Sequence, residues 1–167
     1  MFDELTQVDI NKMQEEIDYR VKVLRPQCLE DVKTAREFGD LSENFEYKAA
    51  KREKNRNDSR IRYLEKMIKT AKVISGESKT GEIGLFDFVE IYFEEDDETQ
   101  KIQIVTTLRQ NALKGLISKE SPVGKALLGR KAGDRVCVTV NPDYSYYIII
   151  RSVEKGQDDE SLPISAF

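Results

Sequence analysis

Two helical stripes of apolar residues, separated by a short glycine-containing segment, restrict the fold of the N-terminal half more than any other feature. Steps of three and four residues place one stripe between Ile10 and Ala35 and a second between Tyr47 and Ala71. Neither helix buries its stripe alone, and a short turn makes sequential helices antiparallel neighbours. The sequence therefore predicts an antiparallel helical hairpin with Gly39–Tyr47 at its tip.

Local signals give the ends of the first helix. Thr6 followed by Asp9 predicts its start. Pro26 lacks a backbone donor and should kink the helix or divide it at Arg25. Gly39 favours termination.

The second helix is predicted from about Ser42 to Val73, with a heptad seam that contains two polar residues. Lys54 and Asn57 occupy seam positions, so we expect the middle of the seam to be weak or hydrated.

The second half of the chain changes from helical to strand periodicity. Strands are predicted around Phe86–Phe93, Ile102–Val105, Arg135–Val140 and Tyr146–Val153. Ser121 and Pro122 predict a short helix that continues over Val123–Leu128 and ends at Gly129. The expected fold is α+β: a hairpin over residues 1–75, a linker over 76–84, an antiparallel sheet domain with a short helix over 85–156, and a frayed acidic tail over 157–167.

Charge is unevenly distributed along the chain. The formal net charge is −4, yet Tyr47–Lys72 contains ten basic and three acidic residues. Such a helix could contact nucleic acid or an acidic protein surface, and a solvated helix face is the structural alternative.

Cys28 and Cys137 lie among apolar residues outside any metal-binding spacing, so we expect buried reduced thiols. No apolar run spans a bilayer and no signal-peptide pattern is present, which predicts a cytoplasmic protein without membrane contact.

Two carboxylates, Asp40 and Glu43, stand three residues apart at the predicted tip. A structural role is open, with Asp40 as helix N-cap and Glu43 as the third helical residue favouring the helix dipole. The alternative is weak binding of Mg²⁺, an ion that needs further ligands and keeps water. The chain has no His and no second acidic cluster aimed at the tip, so this alternative implies a metal shared with another molecule.

Two segments resemble the bacterial Gre transcript-cleavage factors, the GreA/GreB family. The first is Gly39–Asn44 with Glu46-Tyr47 and Ala49–Lys51, and the second is Ile117–Gly129 with Gly133-Asp134. They match two family motifs in the family's order, and the resemblance extends to about Lys155.

The resemblance implies a coiled-coil hairpin followed by an FKBP-like domain. It implies that the globular domain docks on bacterial RNA polymerase, through the region of Ser121 and Pro122, while the hairpin enters the secondary channel. Asp40 and Glu43 would then help to position Mg²⁺ and a water at the polymerase's own active centre, near the 3′ end of backtracked RNA. A factor of this kind is a cofactor protein and not an enzyme, and we expect it to be a monomer.

The resemblance also gives a role to the basic helix. Arg36 and Lys51 match the family's basic patch, and Arg52, Arg56, Arg60 and Arg62 extend its charge. Arg36, Lys51 and Arg52 are the expected RNA contacts. The solvated face remains the alternative for each residue, as helix-start chemistry does for Ser121 and Pro122.

The chain departs from the family pattern in four places. Asp9–Asn11 replaces a usual glycine, Thr106–Ala112 replaces a usual loop sequence, Phe45 replaces a small residue, and the C-terminal tail is additional. These departures leave open a regulator that binds the channel and inhibits or tunes polymerase without cleavage. A peptidyl-prolyl isomerase or adaptor is a third possibility, suggested only by the implied fold.

Overall fold

The computed structural model describes residues 3–39, 43–75 and 79–165. The chain divides into two compact units. The helical unit comprises residues 10–71, and the globular unit comprises residues 3–9 and 72–166, each with residues at its margins that lie outside the described ranges.

The helical unit is an antiparallel hairpin, as the two stripes predicted. Its first arm is the helix α1 (Gln7–Tyr19), which begins in the globular unit, a π-helical segment (Arg20–Leu24) and the helix α2 (Arg25–Arg36). Its second arm is the helix α3 (Phe45–Thr70). The antiparallel direction follows from two contacts: Arg36 at the end of the first arm bonds Tyr47 near the start of α3, whereas the earlier residue Glu16 bonds Arg60 late in α3.

Pro26 divides the first arm as expected, and the division takes the form of a π-helical turn. Pro26 stands in the first turn of α2, directly after the π-helical segment, and has no N–H to donate to the preceding turn. The Arg25 N–H donates to the carbonyl of Arg20, five residues back. The wider turn accommodates the proline without ending the arm.

The predicted start of the first helix at Thr6 and Asp9 is also confirmed, because the Thr6 N–H donates to Asp9 Oδ2 over 3.0 Å.

The globular unit is built on a five-stranded sheet. Its strands are β3 (Phe88–Phe93), β4 (Glu98–Val105), β5 (Leu116–Ser118), β6 (Arg135–Asn141) and β7 (Tyr144–Glu154), in the spatial order β5-β4-β3-β7-β6. Three pairings are antiparallel, while β4 and β5 are parallel. The three-residue strand β5 was not predicted. The helix α4 (Pro122–Leu127) follows it.

Alternation along the strands builds the core of this unit. Val136 and Val138 of β6 are buried, whereas Cys137 between them is exposed. The expectation that both thiols are buried is therefore wrong for Cys137, because successive strand residues face opposite sides of the sheet. Cys28 is half-buried, and both thiols are free.

The boundaries of the globular unit differ from the predicted ones at its N-terminal side. The two-residue strands β1 (Glu4–Leu5) and β2 (Lys72–Val73) pair in parallel. This pairing draws residues 3–9 into the globular unit, although residues 1–75 were predicted to form the hairpin. Part of the predicted linker, residues 76–78, lies outside the described ranges. Ile83, near the linker's end, is buried in the core and donates its N–H to the Arg130 carbonyl.

A buried arginine joins three distant parts of this unit. Arg109 lies in a 3₁₀ turn after β4, and its side chain is fully buried. Its Nε donates to Asp9 Oδ1 over 2.6 Å, and its Nη1 donates to the carbonyl of Asp159 over 3.0 Å. Its Nη2 donates to Thr6 Oγ1 and forms an ion pair with Asp158. The guanidinium thus connects the start of α1, a loop of the sheet and the C-terminal segment.

The C-terminal segment is packed along the globular unit, so the expectation of a frayed tail is wrong for residues 157–165. The Gly156 N–H donates to the buried carboxylate of Asp87 over 3.0 Å. The Ser165 N–H donates to the carbonyl of Leu108 over 2.6 Å. Acidic composition suggested fraying, but Asp158 of this segment has a buried cationic partner in Arg109.

We expect Arg109→Met to lower the free energy of unfolding by about 3–5 kcal/mol, because it leaves Asp9 buried without its cation. Urea unfolding monitored by circular dichroism measures this loss. Arg135→Met is the matched control, since Arg135 pairs with Glu94 in solvent and its loss should change stability little. Equal stabilities of the two variants would contradict a structural role for the buried arginine.

Candidate functional site

Asn44 closes the connection between α2 and α3, residues 37–44, which we call the tip segment. Asn44 is the N-cap of α3, and its Oδ1 accepts the Tyr47 N–H over 3.0 Å. Its Nδ2 donates to the carbonyls of Ala35 over 2.9 Å and Gly39 over 2.5 Å. One amide therefore satisfies the end of one helix and the start of the next.

This geometry corrects the predicted start of the second helix and one structural role at the tip. The helix begins at Phe45 and not near Ser42, because the capping amide is that of Asn44. The N-cap role considered for Asp40 is therefore filled by Asn44. Asp40 itself lies outside the described residues.

Glu43 precedes the N-cap and is exposed, so it is not the third residue of the helix. In the part of the chain that the structure describes, no hydrogen bond or ion pair engages its carboxylate. An open hollow of about 460 Å³, the tip hollow, lies beside it and is lined by Phe38, Gly39, Glu43, Asn44, Phe45 and Glu46. Among the described residues, this carboxylate is exposed and has no partner.

Two of the three predicted RNA contacts line a second cavity between α2 and α3. This basic groove has a volume of about 320 Å³ and is lined by Leu29, Val32, Lys33, Arg36, Tyr47, Lys51, Lys54 and Asn55. Arg36 Nη2 donates to the Tyr47 hydroxyl over 3.3 Å, and its guanidinium lies 5.4 Å from the ring centroid. Arg52 is exposed on α3 and does not line the groove.

Arg60 does not belong to the exposed basic face. It is 3% exposed, and its Nε donates to Glu16 Oε2 over 2.7 Å. Arg20 donates to the same carboxylate over 2.9 Å. Burial would raise the pKa of Glu16, but hydrogen bonds from Arg60 and Arg20 outweigh burial and lower it. Arg60 was assigned from sequence to the RNA-facing charge, and it instead holds the two arms together.

The polar residues in the middle of the seam form hydrogen bonds and ion pairs with other side chains. A weak or hydrated seam was expected there. Asn57 Oδ1 accepts from Arg20 Nη1 over 2.9 Å, and Asn57 Nδ2 donates to the Arg20 carbonyl over 3.3 Å. Lys54 forms an ion pair with Asp58 on its own helix, and Arg25 of the other arm pairs with the same carboxylate. These contacts fix which residues of the two arms face one another.

Ser121 and Pro122 build the start of α4. The Ser121 hydroxyl accepts the Gly124 N–H over 3.0 Å and donates to the Ser118 carbonyl over 2.7 Å. A Cβ on Gly124 would lie 2.1 Å from that carbonyl oxygen, so the close approach requires glycine. Helix-start chemistry thus accounts for the serine, while Pro122 is exposed.

The donor chemistry of the tip segment fits a shared cation and not a complete metal site. The carboxylate of Glu43 is a hard oxygen ligand of the kind that Mg²⁺ prefers. Within residues 3–39, 43–75 and 79–165, no group of three or more His, Cys, Asp and Glu side chains is placed to hold a metal ion. An ion held through Glu43 would need most of its ligands from elsewhere.

Among the residues that the structure describes, no helix combines the length and apolarity that a membrane span requires.

Comparison with known proteins assigns the chain to a family. Residues 4–73 match the family model for the N-terminal domain of GreA/GreB transcription elongation factors, and residues 77–154 match the model for their C-terminal domain. The chain belongs to the GreA/GreB family of transcription elongation factors.

Individual relatives agree with this family. The transcription elongation factor GreA of Mesoplasma florum is 40% identical over 146 residues, which cover 86% of this chain and 94% of the relative. The GreA of Thermoanaerobacter pseudethanolicus is 43% identical over 137 residues, covering 81% and 87%. The crystal structure of GreA factor homolog 1 (Gfh1) of Thermus thermophilus is 26% identical and covers 93% of this chain and all of that one, but its TM-score of 0.42 is too low to bear on function.

Sequence reasoning missed the capping role of Asn44 and the structural role of Arg60. An asparagine directly before a helical run is a recognisable N-cap signal, although the nearby serine and aspartate gave competing ones. Nothing local indicated that Arg60 is buried, since its partner Glu16 lies 44 positions away.

We expect Asn44→Ala to lower the free energy of unfolding by about 0.5–2 kcal/mol, because the first turn of α3 loses its cap. Thermal and urea unfolding measure the change. Asn44→Asp is the matched variant: it keeps an acceptor for the Tyr47 N–H but loses the donor to Ala35 and Gly39. An aspartate variant as unstable as the alanine variant would show that the donor contacts, and not the cap, carry the stabilisation.

Proposed function

We propose that this chain stimulates the cleavage of backtracked RNA by bacterial RNA polymerase, inserting its helical hairpin into the polymerase secondary channel. The observation that carries the proposal is the exposed carboxylate of Glu43, which has no partner within the described residues and stands on a capped connection between two long helices. The helix α3 has 26 residues, which corresponds to a length of about 40 Å. A hairpin of this length suits delivery of a side chain into a deep channel.

Glu43 and Asp40 are the proposed ligands of a shared Mg²⁺. The ion, bound mainly by the polymerase, would supply an activated water and stabilise charge on the phosphodiester. The chain's own contribution is to position this carboxylate. The hydrogen bonds of Asn44 hold the backbone directly after Glu43 in place, and the exposed Glu43 side chain can turn outward. The chain is thus a cofactor protein, and the cleavage activity belongs to the polymerase.

The basic groove is the proposed path for RNA upstream of the tip segment. Arg36 and Lys51 line it, and Arg52 extends the positive charge on the exposed face of α3. Cations along such a path would bind phosphates in a salt-dependent manner. Tyr47 adds a ring on which Arg36 is already stacked, so the cation is held in place before RNA arrives.

The globular unit is the proposed docking module on the polymerase. Pro122 presents an exposed ring at the start of α4, whereas Ser121 supports it from the half-buried side. Their proposed roles therefore differ: Pro122 contacts the polymerase, and Ser121 sets the shape of the surface. The proposal takes the factor to be a monomer acting in the cytoplasm.

We expect Glu43→Gln and Asp40→Asn each to reduce transcript cleavage by about 10- to 100-fold, the range for weakening support of a metal site. Backtracked elongation complexes are incubated with Mg²⁺ and factor, and shortened RNA is resolved on gels. Binding to the polymerase should be unchanged for both variants. Strong inhibition of elongation by the wild-type protein without any cleavage would instead identify a channel-binding regulator.

We expect Lys51→Glu or Arg52→Glu to reduce cleavage of deeply backtracked complexes more than cleavage of shallow ones, because only long extruded RNA reaches the groove. Lys66→Glu is the matched control, an exposed lysine about 22 Å further along α3. Cleavage rates are compared across complexes with defined backtracking. Equal losses on short and long extrusions would argue against RNA contact at these residues.

A further inference from the structure

Two phenylalanines that line the tip hollow, one in the tip segment and one at the start of α3, are strongly exposed. Phe38 is 74% and Phe45 is 77% exposed, and both line the tip hollow. Single exposed apolar side chains are common on protein surfaces and need no explanation. Two phenylalanines that share one hollow beside an exposed carboxylate form a surface that a partner can cover.

The charges around this pair indicate the chemistry of that partner. Lys48, one turn into α3, places its Nζ 5.7 Å from the centroid of the Phe45 ring. The polar side chains of the hollow are Glu43, Asn44 and Glu46. An exposed aromatic ring beside a cation is a combination that binds single-stranded nucleic acid, because every base has a face that stacks and the cation meets the phosphate. The two carboxylates of the hollow oppose phosphate, so the phosphate must lie on the Lys48 side of Phe45.

We propose that Phe45, with Phe38 lining the same tip hollow, is a stacking site for an unpaired RNA base. This inference rests on the proposed function and deepens it, since it places the base next to the phosphodiester that is cut. The base stacks on the face of Phe45 that Lys48 leaves open, and the Lys48 ammonium turns from the ring to the adjoining phosphate. Glu46 accepts hydrogen bonds from the exocyclic amino groups that adenine, guanine and cytosine carry.

An apolar pocket on the polymerase is the competing partner, and the hollow fits it less well. Such a pocket would have to bury Glu46 and the Lys48 ammonium beside the rings, at the cost of desolvating both charges. A base is planar and polar at its edges, and it leaves these charges in contact with polar groups and water.

The first test measures single-turnover cleavage with saturating factor on backtracked complexes of defined register. Phe45→Ala should reduce the rate by about 5- to 150-fold, the range that corresponds to losing one stacked base. Phe45→Tyr should retain the rate because it keeps the ring. Phe45→Leu, which keeps apolar volume but has no π-face, should resemble the alanine variant.

Substrate and site controls sharpen this test. On RNA with an abasic nucleotide at the stacking position, wild-type and Phe45→Ala proteins should cleave at the same rate. Tyr19→Ala removes an exposed ring of α1 and should change neither rate. A leucine variant as active as wild type, or equal losses with and without the base, would overturn base stacking and point to a protein pocket. An alanine variant as active as wild type would overturn it as well.

A second readout does not depend on cleavage. A photoreactive 4-thiouridine in the extruded RNA should crosslink to the peptide that contains Phe45, and the yield should fall in Phe45→Ala. Crosslinking without cleavage by the wild-type protein would refute the proposed function and leave the stacking site standing. Cleavage without crosslinking at any extruded position would overturn the stacking site and leave the proposed function standing.

Discussion

The guanidinium of Arg109 is the contact on which the organisation of the globular unit depends. It pairs with Asp9 and Asp158, and both carboxylates belong to chain segments far from it in sequence. Burying charged groups is expensive unless each is paired and hydrogen-bonded, and here the arginine donates through all three of its nitrogens. Arg109 also lies 5.1 Å from the centroid of the buried Phe86 ring, so its flat face packs on the core. A lysine would offer neither the fork of donors nor the stacking surface.

Three departures from the family pattern meet at this arginine. Asp9 lies in the stretch that lacks the usual glycine, Arg109 lies in the altered loop, and Asp158 lies in the additional tail. Taken separately, these departures favoured a specialised regulator. In the structure the three positions are in contact, because Arg109 forms ion pairs with both Asp9 and Asp158. They therefore explain how the unit is held together and give no support to a loss of cleavage activity.

Much of the fold could be predicted from local pattern, and the failures have a common cause. Helical spacing predicted both arms, and Pro26 and Asp9 predicted where the first arm divides and begins. Strand alternation predicted four of the five strands, whereas β5 is too short to show a period. Arg60, the C-terminal segment and residues 3–9 were misassigned because each depends on a partner many positions away. A charged residue in a sequence is expected to be exposed to solvent. Only the tertiary fold shows that it is buried against a residue of opposite charge, as Arg60 and Arg109 are.

At the tip, the sequence predicted two candidate carboxylates but not the residue that caps the second helix. The alternative of a capping role treated one carboxylate as already engaged in the helix start. Asn44 fills that role instead, and its second hydrogen-bonding group also secures the preceding helix. An amide suits this position because it both donates and accepts hydrogen bonds, so Asn44 can join two helix ends. An ionised carboxylate only accepts and could not do both. Because the neutral amide of Asn44 caps the helix, the neighbouring Glu43 carboxylate is not used for capping and stays exposed.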